Sequence, residues 1–317
     1  MDLKRATGGR RWLKLLGLAL LAWLLARQDL PALAAALRGT RLDLFGAALL
    51  LFFPLVGLRA WRWRALVADA AGPRLDGGAA FREYAATMFL GALTPGRVGE
   101  LYRLRCVTRR GASLGGAAAP ALLDRACDIA FLAGLGALAL AVHAGGIGLR
   151  LQPVLLAALA LGAGLAAVLA LRKRAAGLFQ ALARRFLKTA HAERLERELG
   201  NLLAAVRGVP PRTWLASAAV TAAVWAVFFA QRYMLARALD LDVGIVPLCT
   251  AMVAVALLVL LPVSILNIGT RDAALVLLLG AEGVGSEQAL AFSSLILLTL
   301  LANWGISCLF FLTVRLD

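Results

Sequence analysis

The sequence predicts an all-α polytopic membrane protein, with about six full transmembrane helices plus two broken, re-entrant helical hairpins. Three observations carry that expectation. The 317 residues are 62% hydrophobic and 16% charged, with a mean hydropathy of +0.82, whereas soluble domains are about 45–50% apolar. Several apolar runs approach the ~20 residues that a helix needs to cross a bilayer. Two of these runs are interrupted, by TPGRVGE at 94–100 and NIGTRD at 267–272. In lipid, broken backbone survives only where protein or a cavity surrounds it.

The first helix is expected at about 12–27, after the basic start MDLKRATGGRR. That start resembles a signal peptide but reads as a retained helix with a cytoplasmic N-terminus. A second helix is expected at about 42–60, ending in RAWRWR, an interfacial Trp/Arg anchor. Residues 61–78 then read as a polar, Gly-rich link. Residues 79–93 are too short to span, and RVGELYRLRCVTRR is too charged, so 79–110 reads as a hairpin entering and leaving on the cytoplasmic side.

The next helix, about 113–144, carries Asp124, Arg125 and Asp128. A Gly-rich turn leads to a span at about 150–171. Residues 172–212 form a basic amphipathic cytoplasmic segment, suited either to an anionic lipid surface or to a solvated linker. It joins approximate halves 1–171 and 213–317 of a single transmembrane domain covering 1–317. A span follows at about 213–238. The stretch 243–283 is either a second broken hairpin or, if 243–266 crosses fully, a span plus a short helix. The last span is about 286–314.

The two breaks echo each other. Each holds a glycine, then an arginine and a carboxylate. Gly96 precedes Ser113 by 17 residues, and Gly269 precedes Ser286 by 17. Interrupted helices at matching places in two halves point to an inverted repeat with a midplane site. Thr94 is suited to N-cap a following helix with Pro95 in its first turn. Pro95, Gly96 and Gly99 mark the first break, and Asn267 and Gly269 the second.

A charge at the bilayer centre costs at least about 2.5–3.5 kcal/mol on insertion scales, so these charges need partners. Arg97, Glu100 and Arg103 are spaced by three and would share one helix face. Asp124 and Asp128 are an i, i+4 pair. The bland reading is a set of structural ion pairs at helix ends. The functional reading is an anion site: helix N-termini and arginines favour phosphate. Arg97, Arg103, Arg125 and Arg271 would hold a lipid phosphate, and Glu100, Asp124, Asp128 and Asp272 would orient those arginines and gate or couple movement.

Other classes find little support. The net charge of +16 fits cytoplasmic loops and anionic headgroups, so no nucleic-acid partner is expected. Cys106, Cys127, Cys249 and Cys308 form no C-x-x-C pair, and His143 and His191 are isolated, so no metal site is expected. No nucleophile triad or P-loop occurs, so neither an enzyme nor a cofactor is expected.

The stretches LTPGRVGELYR, LLDRACDIAFL and LPVSILNIGTRDAAL resemble the flippase-like family, also called the lysylphosphatidylglycerol synthase transmembrane-region family. The carried-over positions are Pro95, Gly96, Gly99, Glu100 and Arg103, then Asp124, Arg125 and Asp128, then Pro262, Ser264, Gly269, Arg271 and Asp272. Asp124 and Asp272 stand where the family's pattern has Glu, and Asn267 replaces a glycine. The resemblance implies a lipid-translocating module of a bacterial inner membrane, a flippase or scramblase for an anionic or phosphate-bearing phospho- or glycolipid. No stretch reads as a soluble synthase domain, so aminoacylation is not expected. The alternative is a non-transporting accessory subunit that docks a glycosyltransferase or lipid-modifying enzyme through 172–212.

Overall fold

The computed structural model describes residues 38–94, 99–142, 189–258 and 270–314, and every regular element among them is a helix. The expected spans at 12–27 and 150–171, the segment 172–188 and the break residues Pro95, Gly96, Arg97, Asn267 and Gly269 lie outside the described residues. So do Pro262 and Ser264.

Helices α1 (Leu42–Leu50) and α2 (Phe52–Ala70) form one 29-residue apolar span. At about 1.5 Å per residue it exceeds the ~30 Å hydrocarbon core. Pro54 sits in the first turn of α2, where a missing N–H costs nothing. The sequence expectation ends this helix near residue 60, but it runs ten residues further. Beyond Trp61, residues Arg62, Trp63, Leu66 and Val67 are all buried. Their helical spacing continues the buried stripe beneath the aromatic anchor. The helix closes at Gly72, which adopts φ +90 and donates its N–H to the Val67 carbonyl at 3.1 Å. That left-handed conformation suits glycine.

Helix α3 (Gly77–Leu93) has 17 residues. A 3₁₀ turn at 99–101 leads into α4 (Tyr102–Thr108). Helix α5 (Leu114–Val142) has 29 residues and contains Pro120. Ser113 caps it by accepting the Gly116 N–H at 3.1 Å.

Helix α6 (Thr189–Gly208) is the described part of the amphipathic segment. It packs closely on α5. Glu198 accepts the free Gly115 N–H at the start of α5 at 2.6 Å, so a carboxylate sits on the positive end of that helix. Gly115 also lies directly against the α6 backbone, and a Cβ there would overlap the Glu198 carbonyl. Val206 and Val209 pack with Leu66 and Leu123. The apolar face that the sequence offers to lipid is thus, at this end, covered by protein.

Helices α7 (Pro211–Ala238) and α10 (Ser286–Thr313) are further apolar spans of 28 residues each. Between them come α8 (Ile245–Leu258) and α9 (Thr270–Gly280). Helix α8 packs on α9, and α9 on α10. Whether 243–266 crosses or turns back falls partly outside the described residues.

The described chain divides into two compact units. The first comprises Met1–Leu58, Gly78–Tyr102 and Val224–Asp317; the second comprises Arg59–Gly77 and Arg103–Ala223. In the first unit, Ala86 and Phe89 of α3 pack on Cys308 and Phe311 of α10, and the Phe89 and Phe311 ring centroids are 5.4 Å apart. Gln231 of α7 donates to the Ala48 carbonyl of α1 at 2.7 Å. In the second unit the α5–α6 pair seats against α2. No disulfide joins the four cysteines.

The α5–α6 contact yields a test. Gly115→Ala forces backbone apart, and overpacking of this kind costs about 1–3 kcal/mol. The variant should unfold at a clearly lower temperature in detergent. An unchanged midpoint would mean that α6 is not seated on α5.

Candidate functional site

In the first unit, the break after α3 is built by close approach. The Thr94 hydroxyl donates to the Leu90 carbonyl at 3.1 Å and accepts the Gly99 N–H at 2.7 Å. Thr94 therefore closes α3 and pins the returning chain, rather than acting only as an N-cap for the next helix. Gly99 rests on the backbone of Leu90 and Gly91, nearer than any Cβ would permit. Its glycine identity follows from that contact. Glu100 is buried, with its side chain laid over Gly91. Because 99–101 is a 3₁₀ turn, Glu100 and Arg103 do not lie on one continuous α-helix.

The second unit holds a buried charge network. Arg62 donates through Nε to Asp124 Oδ1 at 2.8 Å, and through Nη1 to Asp128 Oδ1 at 2.9 Å and Thr221 Oγ1 at 2.6 Å. Arg103 donates to the other Asp124 oxygen, Oδ2, at 2.8 Å. Arg62 and Asp124 are both fully buried. The Thr221 hydroxyl in turn donates a hydrogen bond to the Ser217 carbonyl on α7. Each carboxylate is thus met by donors, as a buried charge requires. Arg59, one turn before Arg62, adds a further positive field at Asp124. Arg125 follows Asp124 on α5 and is half-buried.

The sequence reading brought Arg103, Asp124 and Asp128 to attention, and the structure joins them. It missed their hub. Arg62 reads as an interfacial anchor in RAWRWR, yet it is buried among carboxylates 62 and 66 residues away. The available signal was spacing: Arg59 and Arg62 share a face that Trp61 does not.

A second charged cluster lies in the first unit, at the start of α9. Arg271 is buried and donates through Nε to Ser293 Oγ of α10 at 2.8 Å. Its Nη2 reaches Asp272 Oδ1 at 3.2 Å, and Ser293 donates to that same oxygen. The first-turn position of Asp272 also suits the positive end of α9. Ser293 carried no signal of its own in an apolar run.

Arg103, Asp124, Asp128, Arg271 and Asp272 are residues that the three sequence motifs select, and Arg62, Thr221 and Ser293 join them from outside the motifs. The family described as the lysylphosphatidylglycerol synthase TM region matches residues 11–309. The chain belongs to that family. Comparison with curated proteins and with solved structures finds no match. For this family member, the matched region takes in both charged clusters and all or most of each of the three apolar spans found among the described residues, so the chain is a multi-pass membrane protein.

The network predicts unequal roles for its carboxylates. Asp124→Asn removes the charge that serves two buried arginines, and breaking a buried pair costs about 3–5 kcal/mol. Asp128→Asn leaves Arg62 with Asp124 and Thr221, so it should cost distinctly less. Thermal unfolding of both purified variants checks this, and equal losses would remove Asp124 from the centre of the network.

Proposed function

We propose that the chain moves an anionic or phosphate-bearing phospho- or glycolipid between leaflets of the bacterial inner membrane, with a cytoplasmic N-terminus. The observation that carries the reading is the Arg271–Asp272–Ser293 cluster at the start of α9, on a helix of a membrane family linked to lipid synthesis. Charge inside a membrane protein is costly and by default marks a polar pathway. Arg271 is held by a serine and by one carboxylate at 3.2 Å whose side chain is 26% exposed. Such a pair can exchange its carboxylate for a phosphate without leaving the arginine bare. Arg271 and Arg97 would grip the phosphate, while the lipid tails stay in the bilayer.

In this reading Glu100 and Asp272 balance the empty site, and the Arg62–Asp124–Arg103 network supports the helices that carry the pathway. The pairing of α8 with α9 supports a broken hairpin at 243–283. The protein acts as a transporter rather than an enzyme, and its partners are membrane lipids.

Reconstitution in liposomes with fluorescent phosphatidylglycerol and phosphatidylcholine tests the reading. Wild type should translocate the anionic lipid faster. Arg271→Ala and Arg97→Ala should each slow translocation by tenfold or more, since a lost charge-assisted contact is worth about 1.5–3 kcal/mol. Unchanged rates in both variants would exclude the assignment.

A further inference from the structure

The second unit holds a cavity that the charge network does not use. Its volume is about 330 Å³, near the lower end of the range for small-molecule sites. Three helix ends meet there: the close of α2, the start of α5 and the close of α6. The ends of α2 and α6 approach closely, since a Cβ on Gly208 would stand 3.7 Å from the Asp69 carbonyl. Alanines and glycines make most of the wall, so its polar side chains are Asp69, Ser113 and Asn201.

Asp69 is half-buried, and its Oδ2 accepts the Thr213 hydroxyl at 2.5 Å. That hydrogen bond fixes the carboxylate but brings no positive charge. Among the described residues no arginine or lysine pairs with Asp69, although Arg207 and Arg212 flank Gly208 and Thr213 in the chain and are exposed. The exposed Asn201 amide is likewise engaged by no described residue.

The helix ends decide the sign of the cavity. The start of α5 would by itself favour an anion. Its donors are already taken, the Gly115 N–H by Glu198 at 2.6 Å and the Gly116 N–H by Ser113 Oγ at 3.1 Å. The other two ends are C-termini, which carry partial negative charge. A carboxylate and two helix C-termini therefore face the space together. A phosphate would be repelled there, whereas a cation with its own N–H groups would be held.

We propose that this cavity binds a primary ammonium group, with Asp69 as its counter-charge. An ammonium carries three donors. The Asp69 carboxylate, the second lone pair of the Ser113 hydroxyl and the Asn201 carbonyl are the acceptors that line the wall. The same chemistry serves a free amine or the amine of a lipid headgroup. The proposal goes beyond lipid movement and does not rest on it, because binding is read without translocation.

The test uses the purified full chain in detergent at pH 7 and its thermal midpoint. Ethanolamine is titrated against tetramethylammonium, which has no N–H, at equal ionic strength. Phosphatidylethanolamine is compared with phosphatidylcholine in mixed micelles. Binding to the folded state raises the midpoint. A shift with ethanolamine alone assigns a free amine, one with phosphatidylethanolamine alone assigns a lipid headgroup, and both together assign the ammonium group itself. Asp69→Asn keeps an acceptor for Thr213 and removes only the charge, so it should weaken the apparent affinity at least tenfold. Ala204 is exposed on the cavity wall, so Ala204→Leu should crowd the space, leave the ligand-free midpoint unchanged and reduce the shift. The proposal is overturned if neither amine shifts wild type, or if tetramethylammonium and phosphatidylcholine do as well. It is also overturned if Asp69→Asn lowers the ligand-free midpoint but keeps the full shift, which marks a structural brace. Should Asp69→Asn fail to fold, an undiminished shift in Ala204→Leu overturns it alone.

Discussion

Asp124 accepts one guanidinium on each of its two oxygens, Arg62 on one side and Arg103 on the other, and all three groups are buried. The second unit is organised around this contact. Through Arg62 it ties α2 to α5 and, by way of Thr221, to α7; through Arg103 it ties in α4. Helices in lipid gain nothing from excluding water from one another, so packing and polar contacts must hold them. A carboxylate shared between two arginines supplies such a contact and defines one register for several helices at once. It also makes these charges mutually dependent, because each removed partner strands another in an apolar setting.

Close backbone approach is the second constraint. Gly99 lets the chain return against the end of α3, and Gly115 lets α6 lie directly on α5. In both places a polar group takes advantage of the proximity: Thr94 receives the Gly99 N–H, and Glu198 receives that of Gly115. Small residues bring backbones together, and the freed donors then find acceptors that a larger side chain would have kept away. Helix α6 is thereby drawn onto α5.

The two charged clusters differ in character. Around Asp124 the donors and acceptors are closely matched, with short contacts and full burial, which suits a permanent brace. Around Arg271 the carboxylate contact is longer and partly exposed. Exchange with an incoming anion is easier to build on the second pattern. The family's motif residues thus fall in two settings, one fully enclosed around Asp124 and one partly exposed around Arg271.

Much of the architecture was legible in the chain itself. Hydropathy and length are local properties, so the spans beginning near 42, 213 and 286 and the short segment before the first break could be read directly. The same holds for Gly99 as a break residue and for Arg103, Asp124 and Asp128 as groups in need of partners, because a charge in an apolar run announces its own cost. Partner choice was not legible. Arg62 looked like an interfacial anchor because its carboxylates lie more than sixty residues on. Ser293 and Thr221 drew no notice in the apolar runs around them. Sequence determines which side chains must be satisfied. Only the tertiary packing decides by what, since the partner's distance along the chain has no bearing on its distance in space.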